Sequence, residues 1–383
     1  MNPAQSKLRV GIVGCGKIAD AHVEQIRATG VAEVVAVCDR EPLMARQLAL
    51  RFDIAATYDD LAAMLGAERL DVLHVATPPD SHLALARQAF GAGCHVFLEK
   101  PFALTALQTR EIQALARAAQ RRVSVNYLYC FERPFVELMA LVRSGALGDI
   151  IHIDTAFGYD LSGDYGLAVL ADPNHWVHRL PGKLFHNVLD HVLCKVAPLL
   201  PDQPLTATCQ AFRMRATVGN ATIDDLPDEL RFTLSCANLT VSACISSHAR
   251  PATHTMRVLG SRDSVLLDFS ARTITPLARQ RYPGSVGRLF PALDQARAYA
   301  RQVWVNGRAF WRYEYHFFQG MRRLLAAFYE SIRGGGADAL NERDVLVTCQ
   351  AIDTVIAGIA AARSAPLDVP VSVPVSVSGS VPV

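Results

Sequence analysis

Short apolar segments alternate with longer segments of helical periodicity through the first third of the chain. Each short segment is apolar at successive positions, which is typical of a strand buried on both faces of a parallel sheet. These segments are residues 10–13, 34–37, 71–76, 94–98 and 123–125. Repeated strand–helix units predict an α/β Rossmann domain, a doubly wound parallel sheet, over residues 1–126.

From residue 127 the pattern changes, and only residues 182–200 form a clear helix between the next apolar segments. The expected strands are 150–157, 205–216, 229–234, 240–246, 255–259 and 264–269. Strands with few helices between them predict a C-terminal α+β domain, residues 127–363, with a large, mostly antiparallel open sheet. We expect a closing helix, 341–363, to pack back on the first domain. Residues 364–383 are a low-complexity tail of valine, serine and proline.

Residues 279–323 form a distinct basic and aromatic insert. It carries nine arginines against two acidic residues, and aromatic residues are interleaved among them. The simplest interpretation is a pair of helices packed on the sheet with solvated arginines. The alternatives are a membrane-surface contact or a flap that recruits an anionic substrate.

Composition limits the function classes. The formal net charge of +2 argues against a nucleic-acid partner. No continuous apolar run reaches the ~18 residues that span a bilayer, and the N-terminus resembles no signal peptide. The nine cysteines are scattered in apolar surroundings, which is typical of buried thiols in a reducing cytoplasm. No histidine or cysteine spacing matches a zinc site, so no metal is expected.

The strongest motif follows the first strand. Gly14, Gly16 and Ala19 have G-x-G-x-x-A spacing, with Lys17 and Ile18 opening the next helix. Glycine permits the tight turn and the close approach of a pyrophosphate to the backbone, and the helix N-terminus offers free N–H groups. These five residues therefore predict a dinucleotide site.

Asp39 ends the second strand, where a carboxylate can accept a hydrogen bond from a ribose 2′-hydroxyl. That carboxylate would repel the 2′-phosphate of NADP, so we expect NAD as the cofactor. NADP stays open, because Arg40 follows directly and could offset the repulsion.

Other polar residues follow later strands. Ligands of such sheets lie beyond the carboxyl ends of the strands. The residues expected to contact the cofactor there are Thr77, Pro78, His82, Glu99 and Asn126.

Glu99, Lys100 and Pro101 leave the sheet directly after an apolar strand. Proline fixes the chain direction and can aim Lys100 into the cleft. There a lysine could bind a substrate hydroxyl and move its proton. The alternative is a surface ion pair at the strand end.

The segment 181–191 is the third candidate. On a helix, Asn187 and His191 share one face, and His186 and Asp190 share another. His191 is the preferred general acid/base, because an imidazole titrates near neutrality. Substrate contacts are expected from Lys100 and, nearby in the second domain, from Tyr127, Trp176, His178, Lys183, His186 and Asp190.

Together these motifs resemble the glucose–fructose oxidoreductase/inositol dehydrogenase (Gfo/Idh/MocA) family. The matching segments are GIVGCGKIA at 11–19, Asp39, TPP with His82, AFGAGCHVFLEKP at 89–101, and residues 125–150. The resemblance covers residues 7–363 apart from the insert. It implies an NAD(P)-dependent oxidoreductase acting on a sugar, cyclitol or nucleotide sugar. It also implies a homodimer or homotetramer assembled through the second-domain sheet.

The family's catalytic residues are the lysine of EKP and an aspartate and histidine four residues apart. This resemblance makes Lys100, Asn187 and His191 the catalytic set, with asparagine in place of the aspartate. An asparagine can orient a hydroxyl but cannot take its proton. Two alternatives therefore remain: a transient-redox enzyme with tightly bound NAD, and a non-catalytic NAD-binding regulator.

Overall fold

Six parallel strands form the N-terminal sheet, in the order β3-β2-β1-β4-β5-β6. The computed structural model describes residues 6–214, 217–218, 221–222, 226–278, 283–334 and 336–364. The strands are β1 (Leu8–Val13), β2 (Ala32–Cys38), β3 (Ala56–Tyr58), β4 (Val72–Val75), β5 (His95–Leu98) and β6 (Val123–Val125). The order reverses between β1 and β4, which is the switch point where doubly wound sheets bind ligands. The predicted Rossmann sheet is confirmed.

Helices cover both faces of this sheet. They are α1 (Lys17–Thr29), α2 (Pro42–Phe52), α3 (Leu61–Ala67), α4 (His82–Gly91) and α5 (Ala106–Ala118). The apolar side of α1, including Val23 and Ile26, is fully buried, while Asp60 and Thr105 cap α3 and α5 by accepting backbone N–H bonds. Buried strands and capped helices together fix the loops at the carboxyl ends of the strands.

The second sheet has seven strands in the order β15-β14-β13-β7-β12-β11-β8. They are β7 (Ile150–Gly158), β8 (Thr206–Phe212), β11 (Glu229–Cys236), β12 (Leu239–Ser246), β13 (His254–Gly260), β14 (Ser264–Asp268) and β15 (Thr273–Pro276), beside a small hairpin of β9 (Thr217–Val218) and β10 (Ala221–Thr222). Only β7 and β12 pair in parallel within the seven-stranded sheet. The predicted open, mostly antiparallel sheet is confirmed.

More helices accompany this sheet than the sequence pattern indicated. They are α6 (Arg133–Arg143), α7 (Asp164–Ala171), α8 (Lys183–Val196), α9 (Gly284–Trp311), α10 (Gln319–Gly334) and α11 (Glu342–Ser364). Helices α9, α10 and α11 fall in the expected helical pair and closing helix, whereas α6 and α7 were not expected. The helix expected at 182–200 is α8, and a 3-10 turn follows it after Val196. The inward residues of β12, such as Val241 and Ile245, pack in one core with Leu189 and Val192 of α8.

Two C-terminal helices tie the domains together. Met321, Leu324 and Phe328 of α10 lie in the core formed by α1 and β1, so the insert boundary at residue 323 divides a helix of the first domain's core. Helix α11 packs against α5, α8 and β8, as expected for a closing helix. Residues 342–362 are long and apolar enough to cross a membrane, with a mean hydropathy of 1.8. Within this fold, however, their apolar side chains contribute to the cores of both domains.

The insert forms one long helix and the start of another. Helix α9 lies along β15, the edge strand of the second sheet, and α10 turns back to the first domain. The predicted helical pair is therefore present, but its members pack on different domains. Residues 279–282 of the insert and 365–383 of the tail lie outside the described residues.

Candidate active site

The glycine turn after β1 has the geometry that a dinucleotide site needs. Gly14 has φ +92°, and a Cβ there would lie 2.7 Å from the backbone of Ala76. Gly16 lies at the N-terminus of α1 with φ −73°, and a Cβ there would meet nothing within 4 Å. The fold therefore requires glycine at position 14, whether or not a nucleotide is bound. Gly16 leaves open space beside free N–H groups, where a phosphate can approach. Lys17 is exposed and Ile18 half-buried at the same helix end.

Asp39 lies directly beside this turn. Its carboxylate accepts hydrogen bonds from the backbone N–H of Cys15 at 2.7 Å and of Glu41 at 2.9 Å. A carboxylate has further lone pairs for a ribose hydroxyl. Arg40 next to it is exposed. The turn, Asp39 and the start of α1 form one continuous edge that fits the adenosine and pyrophosphate parts of a dinucleotide.

The loop after β4 holds Thr77 and Pro78 half-buried at the sheet edge, but His82 is not exposed there. The His82 ring is fully buried, with Nε2 2.9 Å from the Thr77 carbonyl oxygen and Nδ1 3.2 Å from the Phe102 carbonyl oxygen. Because both ring nitrogens face backbone carbonyls, the expected direct cofactor contact of His82 is corrected. His82 instead links the loop after β4 to the loop after Lys100.

Lys100 reaches across the domain boundary to α8. Its Nζ donates a hydrogen bond of 2.9 Å to Oδ1 of Asn187 and one of 3.2 Å to the Asn187 carbonyl oxygen. Burial lowers the pKa of Lys100, while the Glu99 and Asp190 carboxylates raise it. The net result is an ammonium that releases its proton more easily than an exposed lysine. The surface ion-pair alternative does not describe this half-buried side chain.

Asp190 is the buried carboxylate of the site. It is 1% exposed and lies beside the hydroxyl of Tyr127, whose residue is also buried. Burial raises the pKa of Asp190 to about 6, although the Lys100 charge lowers it. This carboxylate therefore titrates near neutrality within reach of the Lys100 charge.

His191 follows on the next position of α8. Its ring stacks on Phe157 with a centroid distance of 5.0 Å and meets Tyr129 edge-on at 5.5 Å. Burial, and then the charges of Lys100 and Lys195, lower the pKa of His191 well below its usual value. The imidazole is therefore neutral at pH 7, and it is a weaker proton acceptor than an exposed histidine.

The remaining predicted substrate residues differ in access. The ring of His178 contacts the Val169 carbonyl oxygen through Nε2 at 2.7 Å. Trp176 is half-buried against the apolar core of the second domain. His186 is 1% exposed, and burial lowers its pKa to about 4. The ring of His186 is enclosed to the same degree as Asp190, and its substrate contact stays a prediction. Lys183 is half-buried with φ +47° at the first turn of α8.

A buried hydrogen-bonded chain behind Glu99 was not anticipated. Glu99 Oε1 contacts Asn126 Nδ2 at 2.7 Å and His22 Nε2 at 2.8 Å, and Nδ1 of His22 lies 2.8 Å from Nδ1 of His74. The hydroxyl of Tyr329 completes the chain at 2.8 Å from His74 Nε2. Burial opposes ionisation of Glu99, but the bonds from His22 and Asn126 hold its pKa below the usual value. Glu99 and Asn126 are thus supports beneath the site, with little exposed surface for a cofactor.

Lys195 was also missed. It is fully buried, donates to His254 Nε2 at 2.7 Å and to the His191 carbonyl oxygen, and lies over the rings of Tyr129 and Phe269. Burial lowers its pKa to about 8. The single signal in the sequence was a lysine within an otherwise apolar stretch of α8, which alone predicts no partner.

A glycine-turn Rossmann domain, joined through Lys100 to a second-domain helix, defines a two-domain protein of the dinucleotide-binding class. Residues 8–127 match the GFO_IDH_MocA model, described as an oxidoreductase family with an NAD-binding Rossmann fold. Over these residues the chain is similar to this family, as its sequence motifs predicted.

Individual relatives match about two fifths of the chain. D-glucoside 3-dehydrogenase of Escherichia coli is 37% identical over 39% of this chain and 43% of its own length. Inositol 2-dehydrogenase of Acidothermus cellulolyticus is 34% identical over 37% of this chain and 42% of its own. The chain thus matches about two fifths of the length of these relatives.

The fold resemblance extends over both domains. The structure of the WlbA dehydrogenase from Bordetella pertussis, in complex with NADH and UDP-GlcNAcA, has a TM-score of 0.74 to this chain. It is 19% identical and covers 94% of this chain and 97% of its own. At this identity the match concerns the fold, and it confirms the two-domain architecture.

Proposed function

We propose that this protein is an NAD-dependent dehydrogenase or reductase that interconverts a secondary alcohol and a ketone on a carbohydrate-like substrate. The observation that carries the proposal is the 2.9 Å hydrogen bond between Lys100 Nζ and Asn187 Oδ1. This bond joins the end of β5 in the Rossmann sheet to α8 of the second domain. Asp190 and His191 are the two further titratable groups beside it.

The cofactor side of the proposal rests on the glycine turn. The space beside Gly16 and the N-terminus of α1 would hold the pyrophosphate, and Asp39 would bind the adenosine ribose, which favours NAD over NADP. Thr77 and Lys100, which follow the ends of β4 and β5, would face the nicotinamide. When bound, the nicotinamide ring accepts or supplies the hydride.

Side chains of the protein would carry out the proton transfer that accompanies hydride transfer. A neutral Lys100 amine would accept the substrate hydroxyl proton during oxidation and return it during reduction. Asn187 positions Lys100 by accepting its hydrogen bond and, being an amide, takes no proton itself. His191, neutral because it is buried beside two lysines, would be the second proton acceptor.

Asp190 supplies the negative charge that an aspartate at position 187 would otherwise provide. Its charge raises the pKa of Lys100, and Lys100 in turn lowers that of Asp190. We infer that Lys100 and Asp190 titrate as a coupled pair, each shifting the pKa of the other, so that the asparagine is compatible with catalysis.

The substrate class is proposed from the relatives. Two relatives are dehydrogenases of a glucoside and of inositol, and the WlbA structure holds a nucleotide sugar; all three compounds present secondary alcohols on a ring. Lys183, Trp176 and the exposed edge of the His178 loop lie on the second-domain side of the site and would contact such a ring.

Two experiments test this function. Native mass spectrometry of protein purified without added nucleotide, followed by NAD and NADP titration, tests the cofactor. A panel of sugars, cyclitols and nucleotide sugars is then assayed by NADH absorbance. Substrate-dependent NADH formation that Lys100→Met removes supports the proposal. Turnover with retained nucleotide and no net NADH favours a transient-redox enzyme, and NAD binding without any turnover favours a regulator.

We also propose self-assembly through the outer face of the second sheet, in a reducing cytoplasm. A shallow depression of about 830 Å³ lies on that face, and its lining combines apolar side chains such as Phe232 and Leu266 with the Asp154–Arg257 ion pair. Sedimentation velocity would test this assembly, and a monomer at all concentrations would contradict it.

A further inference from the structure

Helix α9 is attached to the second sheet by polar side chains. Three amides spaced along one side of the helix donate hydrogen bonds to backbone carbonyl oxygens of β15 and the turn before it. These bonds are Gln295 Nε2 to Pro276 at 2.8 Å, Gln302 Nε2 to Ile274 at 2.7 Å and Asn306 Nδ2 to Ala271 at 2.8 Å. The helix therefore satisfies the free edge of the sheet with its polar side.

The opposite side of α9 carries tryptophan and arginine. Residues three, four or seven positions apart share one side of a helix. The outer stripe, as we define it, consists of Leu293, Arg297, Arg301, Trp304, Arg308 and Trp311. Trp304 is 65% exposed and Trp311 82% exposed, and the Arg308 guanidinium lies 5.7 Å from the centre of the Trp304 ring.

This arrangement reverses the usual amphipathic helix. A helix at a protein surface normally buries its apolar side and presents its polar side to water. Here the three amides face the sheet, with Gln302 buried, and the indoles face outward. Phe310, Tyr313 and Phe317 extend the exposed aromatic surface beyond the stripe. Large exposed apolar patches with a polar rim mark interaction sites.

We propose that the outer stripe of α9 docks on an anionic phospholipid surface. Tryptophan favours the boundary between water and acyl chains, and arginines along the same stripe would bind lipid phosphates. The insert has nine arginines against Asp294 and Glu314, and those two carboxylates lie 3.9 Å from Arg297 and Arg323. The surface thus complements a negative partner.

A second copy of the chain fits this stripe less well. In a two-fold symmetric dimer the same patch meets itself. Arg297, Arg301 and Arg308 would then face the same positive residues of the partner, with few carboxylates between them. Charge complementarity therefore favours the lipid surface over self-association through α9.

The test uses the full chain with vesicles of phosphatidylcholine, with and without phosphatidylglycerol. Two of the three tryptophans of the chain lie in the stripe, so their emission reports docking directly. We expect co-sedimentation and a blue shift with phosphatidylglycerol only, weakened by salt, and quenching by brominated acyl chains.

Two variants separate the contributions. Trp304→Ser with Trp311→Ser should reduce vesicle binding at least tenfold, and so should Arg297→Gln, Arg301→Gln and Arg308→Gln combined. A matched control removes three exposed arginines elsewhere, Arg46, Arg110 and Arg143, and should retain most of the binding. NAD affinity, measured in parallel, should be unchanged in all three variants and shows that they are folded.

Several outcomes would overturn the proposal. These are no binding to either vesicle, equal binding with and without phosphatidylglycerol, or equal losses in the stripe and control variants. A dimer that the tryptophan variant dissociates would make a second copy the occupant. Binding that arises only after deletion of residues 365–383 would make that segment the occupant.

Discussion

Lys100 Nζ lies 2.9 Å from Oδ1 of Asn187, although 87 residues separate them in the chain. Lys100 follows β5 of the Rossmann sheet, and Asn187 lies in the first turns of α8. Their contact places a lysine whose pKa is lowered by burial between the cofactor edge and the second domain.

Removing the Lys100 amine should abolish proton transfer without disturbing the nucleotide edge. For Lys100→Met we expect kcat to fall about 10²- to 10⁴-fold, the usual contribution of a positioned acid/base. NAD affinity, measured by fluorescence titration, should stay within about twofold. Lys7→Met, at an exposed position, is the control. Retained turnover in the Lys100 variant would remove Lys100 from the mechanism.

Restoring a carboxylate at position 187 should shift the pH profile. In Asn187→Asp a negative charge would replace the amide oxygen that now contacts Lys100, which favours the ammonium and raises the Lys100 pKa. Since the neutral amine accepts the proton, the acidic limb of kcat/KM for oxidation should move to higher pH. An unchanged limb would show that Lys100 does not govern it.

The two glycines of the turn should respond differently to alanine. Gly14→Ala meets the Ala76 backbone at 2.7 Å in a positive-φ conformation, so it should cost about 1–3 kcal/mol of unfolding free energy and abolish NAD binding. Gly16→Ala has an ordinary φ and open space, so its Tm should be near wild type while NAD binding weakens. Calorimetry and NAD titration of both variants check this. Loss of stability in both would mean that Gly16 is also structural.

Asp39 should govern the choice of nucleotide. Asp39→Ala should weaken NAD about tenfold, equivalent to about 1.4 kcal/mol. NADP should weaken less, because its phosphate no longer meets a carboxylate. Asp39→Asn is the matched control, since it keeps an acceptor for the Cys15 N–H while removing the charge. Equal losses for NAD and NADP in both variants would place Asp39 away from the ribose.

Asp190 should make stability depend on pH. Burial raises its folded pKa to about 6, so the folded state holds a proton that the unfolded state releases above about pH 4. Stability therefore falls as pH rises from about 4 to 6, by up to about 3 kcal/mol. Asp190→Asn should lack this loss, so its unfolding free energy relative to wild type should rise across that window. A difference independent of pH would contradict the shifted carboxyl group.

The sequence by itself determined the parts of the protein that depend on neighbouring residues. Apolar strand segments, the spacing of Gly14 and Gly16, and Asp39 at a strand end are local patterns with local physical causes, and the structure bears out the sheet they predict. The segments 229–234 and 240–246 were likewise predicted to be strands, and they form β11 and β12. Local periodicity was weaker where helices α6 and α7 interrupt the second domain, and there the prediction was wrong.

Only the tertiary structure decided which polar groups meet and which are enclosed. The sequence placed both His82 and His186 in the candidate site. Packing, however, turns the His82 ring toward backbone carbonyl oxygens and encloses the ring of His186. The pKa of Asp190 is raised because segments distant in the chain bury it. The tryptophans of α9 point outward because the opposite side of the helix packs on β15. Periodicity shows that a helix has two faces. Which face is buried depends on the surface it packs against, and for α9 that surface is a row of backbone carbonyl oxygens that selects amides over indoles.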